Sequence, residues 1–176
     1  YIDTGLDNNS SYKYRIKAFT FNDVESAPTA DIIAKTKALP LGASNIRISD
    51  NIPKKIFLTW DASTSSDIVK YEIHRSIYSS FGYKKIVSLN AQTLEYTDKT
   101  DDDGRIYYYK VIAVDKDGLE SSFDVSAIKG TSLAKPAKPI LTSAKTEGNK
   151  VVLNWTAGDN RTTSYNINKK IKINFF

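Results

Sequence analysis

The chain has no cysteine and no methionine among its 176 residues, and a single histidine. Without cysteine, neither disulfides nor thiolate metal centres can hold it together, so its redox compartment leaves no mark on it. Without methionine there is no initiator, and the sequence is expected to be an internal segment whose signal peptide, lipid anchor or catalytic neighbour lies elsewhere. Long apolar runs are also missing. The longest aliphatic stretch, Val111 to Val114, is far below the ~20 residues that cross a bilayer, so no membrane span is expected.

Charge excludes a second class of partner. The formal net charge is +5, but residues 41 to 133 carry twelve basic and thirteen acidic groups, while residues 134 to 176 carry eight and two. A nucleic-acid module concentrates Lys and Arg on a folded face with stacking aromatics between them. Here the excess lies in the last segment alone, and no nucleic acid is expected as a partner.

What the sequence does contain is a repeat. YKYRIKA at 12 to 18 returns as YYYKVIA at 107 to 113. A shift of 95 positions aligns Tyr1 to Thr36 with Tyr96 to Thr131 without a gap, and ten of the 36 pairs are identical. The same shift places Trp60 on Trp155, Leu58 on Leu153 and Ile56 on Val151; for Tyr71 and Ile73 against Tyr165 and Ile167 it is 94. Pro-containing segments KALPLGAS (37 to 44) and SLAKPAKP (132 to 139) punctuate the period, and Pro favours stiff, extended linkers.

Within one period the apolar residues alternate. Ile56, Leu58 and Trp60 form one inward row, Tyr71 and Ile73 a second, and Tyr107, Tyr109, Val111 and Ala113 a third. Turn signals separate them at SDN (49 to 51), ASTSSD (62 to 67), SSFG (79 to 82), DDDG (101 to 104) and KDG (116 to 118). No helical period is long enough for a crossover, so the expected class is all-β, built of antiparallel sandwiches. Each buried tyrosine hydroxyl then needs a partner, for which the loop before the strand is the nearest supply of backbone groups.

Few residues invite chemistry. His74, outward on a strand beside Glu72, has no Cys or G-x-S-x-G nucleophile to serve, and a filled sandwich offers no cleft for a sugar. No catalytic residue, metal ligand or cofactor is expected. Asp98, Asp101, Asp102 and Asp103 before Gly104 raise a calcium reading, but Lys99 and Lys110 stand where an EF-hand needs acidic ligands, so a solvated turn is the better account. The outward row of the complete unit, Tyr108, Ile112 and Val114 with His74 and Glu72 beside it, is the candidate partner surface; cover by neighbouring loops is the competing account. An acidic-x-Asn-x-Ser pattern at Asp7 to Ser11 makes Asn9 a candidate glycosylation position.

These residues together resemble tandem fibronectin type III domains. The carriers are Trp60 and Trp155 on the second strand, Tyr12 and Tyr107 opening the sixth, the turns at Asn22 to Asp23 and Asp117 to Gly118, then Ser26, Ser121, Thr36 and Thr131. The resemblance implies immunoglobulin-like sandwiches, one complete (39 to 134) and two partial (1 to 38 and 135 to 176), with apolar rows of the partial units exposed. It makes Trp60, Trp155, Tyr12 and Tyr107 structural anchors, the tyrosines bonding upstream backbone. Leu6 fits that corner; its counterpart Asp101 does not, so the corner loop of the complete unit is expected to be shaped differently. The loop DKDGLES lacks the Arg-Gly-Asp of integrin recognition, and the closing KIKINFF fits poorly as native continuation.

The pattern is similar to bacterial fibronectin-like lipoprotein adhesins. It implies a monomeric, non-catalytic, protein-binding array at the cell surface, in the outer membrane or periplasm, or outside the cell, with host extracellular-matrix glycoprotein as partner. The alternative is an accessory or spacer module of a secreted polysaccharide-degrading enzyme. Binding would use a sheet face or an open edge.

Overall fold

The computed structural model describes residues 1–170, so all but the first residue of KIKINFF lies outside it. Every regular element in that range is a strand, and no helix is long and apolar enough to cross a membrane. Eleven strands run β1 (Ser11–Tyr14), β2 (Ile32–Lys35), β3 (Ser44–Ile48), β4 (Lys55–Asp61), β5 (Ile68–Ser76), β6 (Lys84–Asn90), β7 (Glu95–Lys99), β8 (Ile106–Asp115), β9 (Ile128–Thr131), β10 (Ile140–Glu147) and β11 (Lys150–Thr156).

Strands β3 to β9 form two antiparallel sheets, β3-β4-β7 and β6-β5-β8-β9. The period-two rows meet between them. Ile56, Leu58 and Trp60 from the first sheet and Tyr71, Ile73, Tyr109, Val111 and Ala113 from the second are at most 3% exposed and form one core. Trp60 sits on the second strand of this seven-stranded unit and Tyr107 at the start of the sixth, the positions the fibronectin type III resemblance implies. The architecture is an all-β, immunoglobulin-like sandwich of that kind.

Contacts between the layers are specific. The Trp60 and Tyr71 rings meet edge to face, centroids 5.8 Å apart at 66°. The Tyr71 hydroxyl accepts the Ser63 N–H at 2.8 Å, so its polar end is not stranded. At the edge, a Cβ on Gly130 of β9 would lie 2.5 Å from Ile48 Cδ1 and 2.9 Å from Ile56 Cγ2. Only glycine lets β9 close against the first sheet there.

The repeat in sequence is also a repeat in bonding. Ser121 donates its N–H to the Ala113 carbonyl (2.8 Å) and accepts the Ala113 N–H on Oγ (3.1 Å); Ser26 makes the same two bonds with Ala18, both 2.9 Å. Tyr109 donates its hydroxyl to Asp98 at 2.6 Å, and Tyr14 donates to Asp3 at 2.9 Å. The Trp155 and Tyr165 rings stand edge to face at 5.3 Å and 70°, the counterpart of Trp60 and Tyr71. These equivalent residues make equivalent contacts, although not every identical pair does, since the Tyr12 hydroxyl accepts a backbone N–H that Tyr107 does not.

Burial does not recur. Ile16 (72%), Ile33 (68%) and Val151 (66%) are exposed where their counterparts in the central unit are buried or half-buried. β1 pairs only β2, and β10 only β11. Pairing also slips: Tyr12 faces Ala34, whereas Tyr107 faces Gly130, whose equivalent is Lys35. A register is pinned by the face that must be buried, and all four residues of β2 are exposed.

The two tyrosine–aspartate bonds give a matched test. Tyr109→Phe leaves Asp98 in place at 5% exposure with one donor fewer, and should cost about 2 kcal/mol in urea denaturation. Tyr14→Phe removes the same bond from water and should change stability by less than ~0.5 kcal/mol. Equal costs would show that burial does not set the value of this bond.

Candidate functional site

The structure brings Glu72, His74 and Ile112 together, since Glu72 pairs with Ile112 and His74 with Lys110 across β5 and β8. It does not leave them open. Ile112 and Val114 are 0% and 2% exposed, so of the two accounts of this row the structure has cover and not an open apolar partner surface. The segment after β8 turns back over this face: Val114 bridges Glu120, Lys110 donates from Nζ to the Phe123 carbonyl at 2.8 Å, and the Phe123 ring meets His74 edge to face at 5.1 Å. Tyr83 packs on Phe123 from the β6 side. Tyr108 remains half-buried.

Glu72 is held as a buried charge. Burial alone would raise its pKa, but Lys70 (2.6 Å) and Lys85 (3.2 Å) outweigh that and keep it below the usual carboxylate range. Burial pushes His74 below the ordinary imidazole range against the pull of Glu72 and Glu120, so the ring is neutral at pH 7. Its Nε2 stands 3.7 Å from Glu72 Oε2. Glu72 also accepts from Ser88 Oγ at 3.4 Å, while His74 Nε2 is buried without a hydrogen-bond partner among the described residues.

The acidic run is committed except for Asp101, which is exposed with no ion-pair partner among the described residues. Asp98 is buried, not solvated, and its carboxylate takes Arg75 Nη1 at 2.7 and 3.0 Å as well as the Tyr109 hydroxyl. Asp102 pairs with Arg105 at 2.7 Å, and Asp103 lies 3.8 Å from Lys135. The Tyr107 ring is covered by Arg75 (4.7 Å) and Arg105 (5.6 Å). Among the described residues it makes no bond to upstream backbone, whereas the Tyr12 hydroxyl accepts the Asp7 N–H at 2.8 Å. Asn9 is exposed in a turn at φ 56°.

One cluster has no local sequence signal. Asp67 before β5, Asp115 at the end of β8 and Asp117 in the following turn point their carboxylates together, and Lys37 of the linker places Nζ 2.6 Å from all three. These carboxylates lie within 4.8 Å of one another, a metal-like spacing that the ammonium fills. Asp115 Oδ1 also accepts the Asp117 and Leu119 N–H groups. Lys37 holds Asp115 below the usual carboxylate range, and the three carboxylates raise the Lys37 ammonium above its ordinary value. Residue 37 belongs to the linker, Asp67 to the turn before β5, and Asp115 and Asp117 to the end of β8 and its turn, so only folding shows that they meet. At the next junction Arg161 donates to the Ala134 and Lys135 carbonyls, both at 3.1 Å.

No profile of a known protein family matches the chain. A curated relative, an amylopullulanase of Thermoanaerobacter thermohydrosulfuricus, is 40% identical over 86 residues, 49% of this chain, and the chain spans about 5% of that enzyme's length. Among solved structures, an Fn3-like protein from Clostridium thermocellum is 22% identical with a TM-score of 0.45, covering 57% of this chain and 99% of its own. Chicken CNTN1 FN1-FN3 domains are 15% identical with a TM-score of 0.47, covering 85% and 55%. A β-1,2-glucanase from Parabacteroides distasonis is 23% identical with a TM-score of 0.44, covering 68% and 17%.

The Lys37 cluster predicts a pH signature. Because the pKa of Asp115 is lowered on folding, its stabilising contribution is present above the unfolded value of ~3.9 and is lost as pH falls through the folded one. Lys37→Met should therefore lower the melting temperature at pH 7, and the gap to the unaltered chain should close on acidification below ~3.9. A gap that stays constant across that range would remove the ion cluster as its cause.

Proposed function

We propose that the chain is a non-catalytic, extracellular segment of a polysaccharide-degrading enzyme, in which fibronectin type III-like units space and position the catalytic part. One observation carries the reading: the 86-residue match, close to one 95-residue period, falls inside a much longer amylopullulanase. The filled core and the ion-paired outer face support it, since neither offers a cleft in which a glycosidic bond could be cleaved. The units are 1 to 38, 39 to 134 and 135 to 176, divided at the Pro-containing linkers. On this division the outer two units are partial, in keeping with the exposure of Ile16, Ile33 and Val151. The adhesion reading keeps its resemblance to bacterial adhesins but loses Ile112 and Val114 as an open binding row.

The parent reading frame tests this directly. A glycoside hydrolase catalytic domain in the same frame is the expected result. A lipid-anchor signal followed only by further repeats would return the chain to adhesion. The 176-residue chain itself should release no reducing sugar from pullulan, and measurable release would end the non-catalytic reading.

A further inference from the structure

We infer that the turn joining β5 to β6 is a carbohydrate-binding platform, in which the stacked rings of Tyr78 and Phe81 take the C–H face of a neutral hexose in a glucan chain. The inference rests on the proposed place of the chain in a polysaccharide-degrading enzyme and names the surface that would touch the polymer. Hairpin loops are short and polar as a rule. Residues 77 to 83, IYSSFGY, break both habits: Ile77, Tyr78 and Phe81 are 45%, 50% and 61% exposed.

The two rings are parallel, with centroids 4.4 Å apart and 14° between planes. Aromatic pairs inside the sandwich are tilted instead, at 66° for Trp60 with Tyr71 and 55° for Tyr107 with Tyr109. Tilted pairs fill space, whereas a parallel pair presents a flat outer face. That face suits a pyranose, whose ring C–H groups form an apolar plane and whose hydroxyls project from the rim. Ser79, Ser80, the Tyr78 hydroxyl and Lys84 supply exposed polar partners around it. Among the described residues Lys84 pairs with no carboxylate.

The turn is held before any ligand arrives. Ser76 Oγ donates to the Phe81 carbonyl at 2.6 Å and accepts the Tyr78 N–H at 2.9 Å, and the Tyr83 hydroxyl donates to the Ser79 carbonyl at 2.8 Å. Gly82 has φ +72°, and a Cβ there would sit 3.5 Å from the Tyr78 ring. Ordering costs are thus met by folding and not by binding. An adjoining trough of about 550 Å³ runs past Arg75, Lys84, Lys85, Ile86 and Tyr107. Arg75 and Lys85 are already paired with Asp98 and Glu72, which leaves Lys84 as the unpaired charge of the trough among the described residues.

Size argues against a protein partner. A stable protein interface buries ~800 Å² on each side, and an aromatic side chain contributes ~150–250 Å² when fully covered. Two half-exposed rings with Ile77 supply only part of that, but enough for one or two sugar rings. The platform also lies at the far end of β5 from the Lys37 cluster, roughly 30 Å away at ~3.3 Å per residue, so a polymer there leaves that junction free.

Native electrophoresis of the 176-residue chain through gels containing pullulan, soluble amylose or polygalacturonate tests the inference. Retardation by pullulan or amylose is expected, with Tyr78→Ala and Phe81→Ala each weakening it about tenfold and Phe123→Ala leaving it unchanged. Thermal melting of each variant separates loss of binding from loss of fold. Retardation by polygalacturonate alone would overturn a neutral-sugar platform in favour of charge on Lys84. Equal retardation of Tyr78→Ala, Phe81→Ala and the unaltered chain would place binding elsewhere, and no retardation in any gel would end the inference. Either failure leaves the spacer reading standing, because that reading is decided by the parent reading frame.

Discussion

The central sandwich depends on a buried carboxylate that ties its two layers. Asp98 ends β7 in one sheet, while Arg75 and Tyr109 reach it from β5 and β8 in the other. A charge this far from water costs several kcal/mol unless it is paired and hydrogen-bonded, and here both conditions hold. The Arg75 guanidinium then lies over Tyr107, so ring, cation, carboxylate and hydroxyl form one chain of contacts at one end of the core. The network explains why the second tyrosine of the repeated stretch is a tyrosine: phenylalanine would fill the same space and leave the aspartate short of a donor.

Much of the fold could be read in the sequence because it depends on local alternation. Ile56, Leu58, Trp60, Tyr71 and Ile73 declare their inward face by a period of two, and that face is buried. The 95-residue shift predicted equivalences that reappear as bonds, down to the 94-residue offset between Tyr71 and Tyr165 that preserves the edge-to-face pair with tryptophan. The tyrosine partners were less legible. An upstream backbone partner was expected for Tyr107, but its ring is covered by Arg75 and Arg105, and it is the Tyr109 hydroxyl that finds Asp98, contacts decided between sheets.

The two accounts of the candidate surface could not be told apart in the sequence for a related reason. Alternation places Ile112 and Val114 on the outer side of β8, and it is right about the side. It is silent about what lies above a sheet. The 119 to 125 segment covers that face because Lys110 can reach the Phe123 carbonyl and His74 offers Phe123 an aromatic edge, contacts between residues of no shared period. The same limit hid Lys37, whose three aspartates stand 30, 78 and 80 positions further along the chain. In IYSSFGY, by contrast, the aromatics were in plain view inside a segment whose Ser and Gly signalled only a turn.

Taken together, these features separate the surfaces of the sandwich by what they can still do. The inner faces are filled. The outer face of β5 and β8 has spent its charges on one another and lies under a loop. The segments on both sides are tied by cations, Lys37 to carboxylates and Arg161 to carbonyls. Edge strands offer backbone groups, but at β9 the close approach of Gly130 to Ile48 and Ile56 shows that edge packed against its own core. The β5–β6 turn is both ordered and unspent, for there folding has fixed two aromatic rings in water. Exposed rings that pack against nothing else lower the solubility of a module, and a sequence that also places Ser76 and Gly82 to hold them parallel has the form of a surface built to meet something flat.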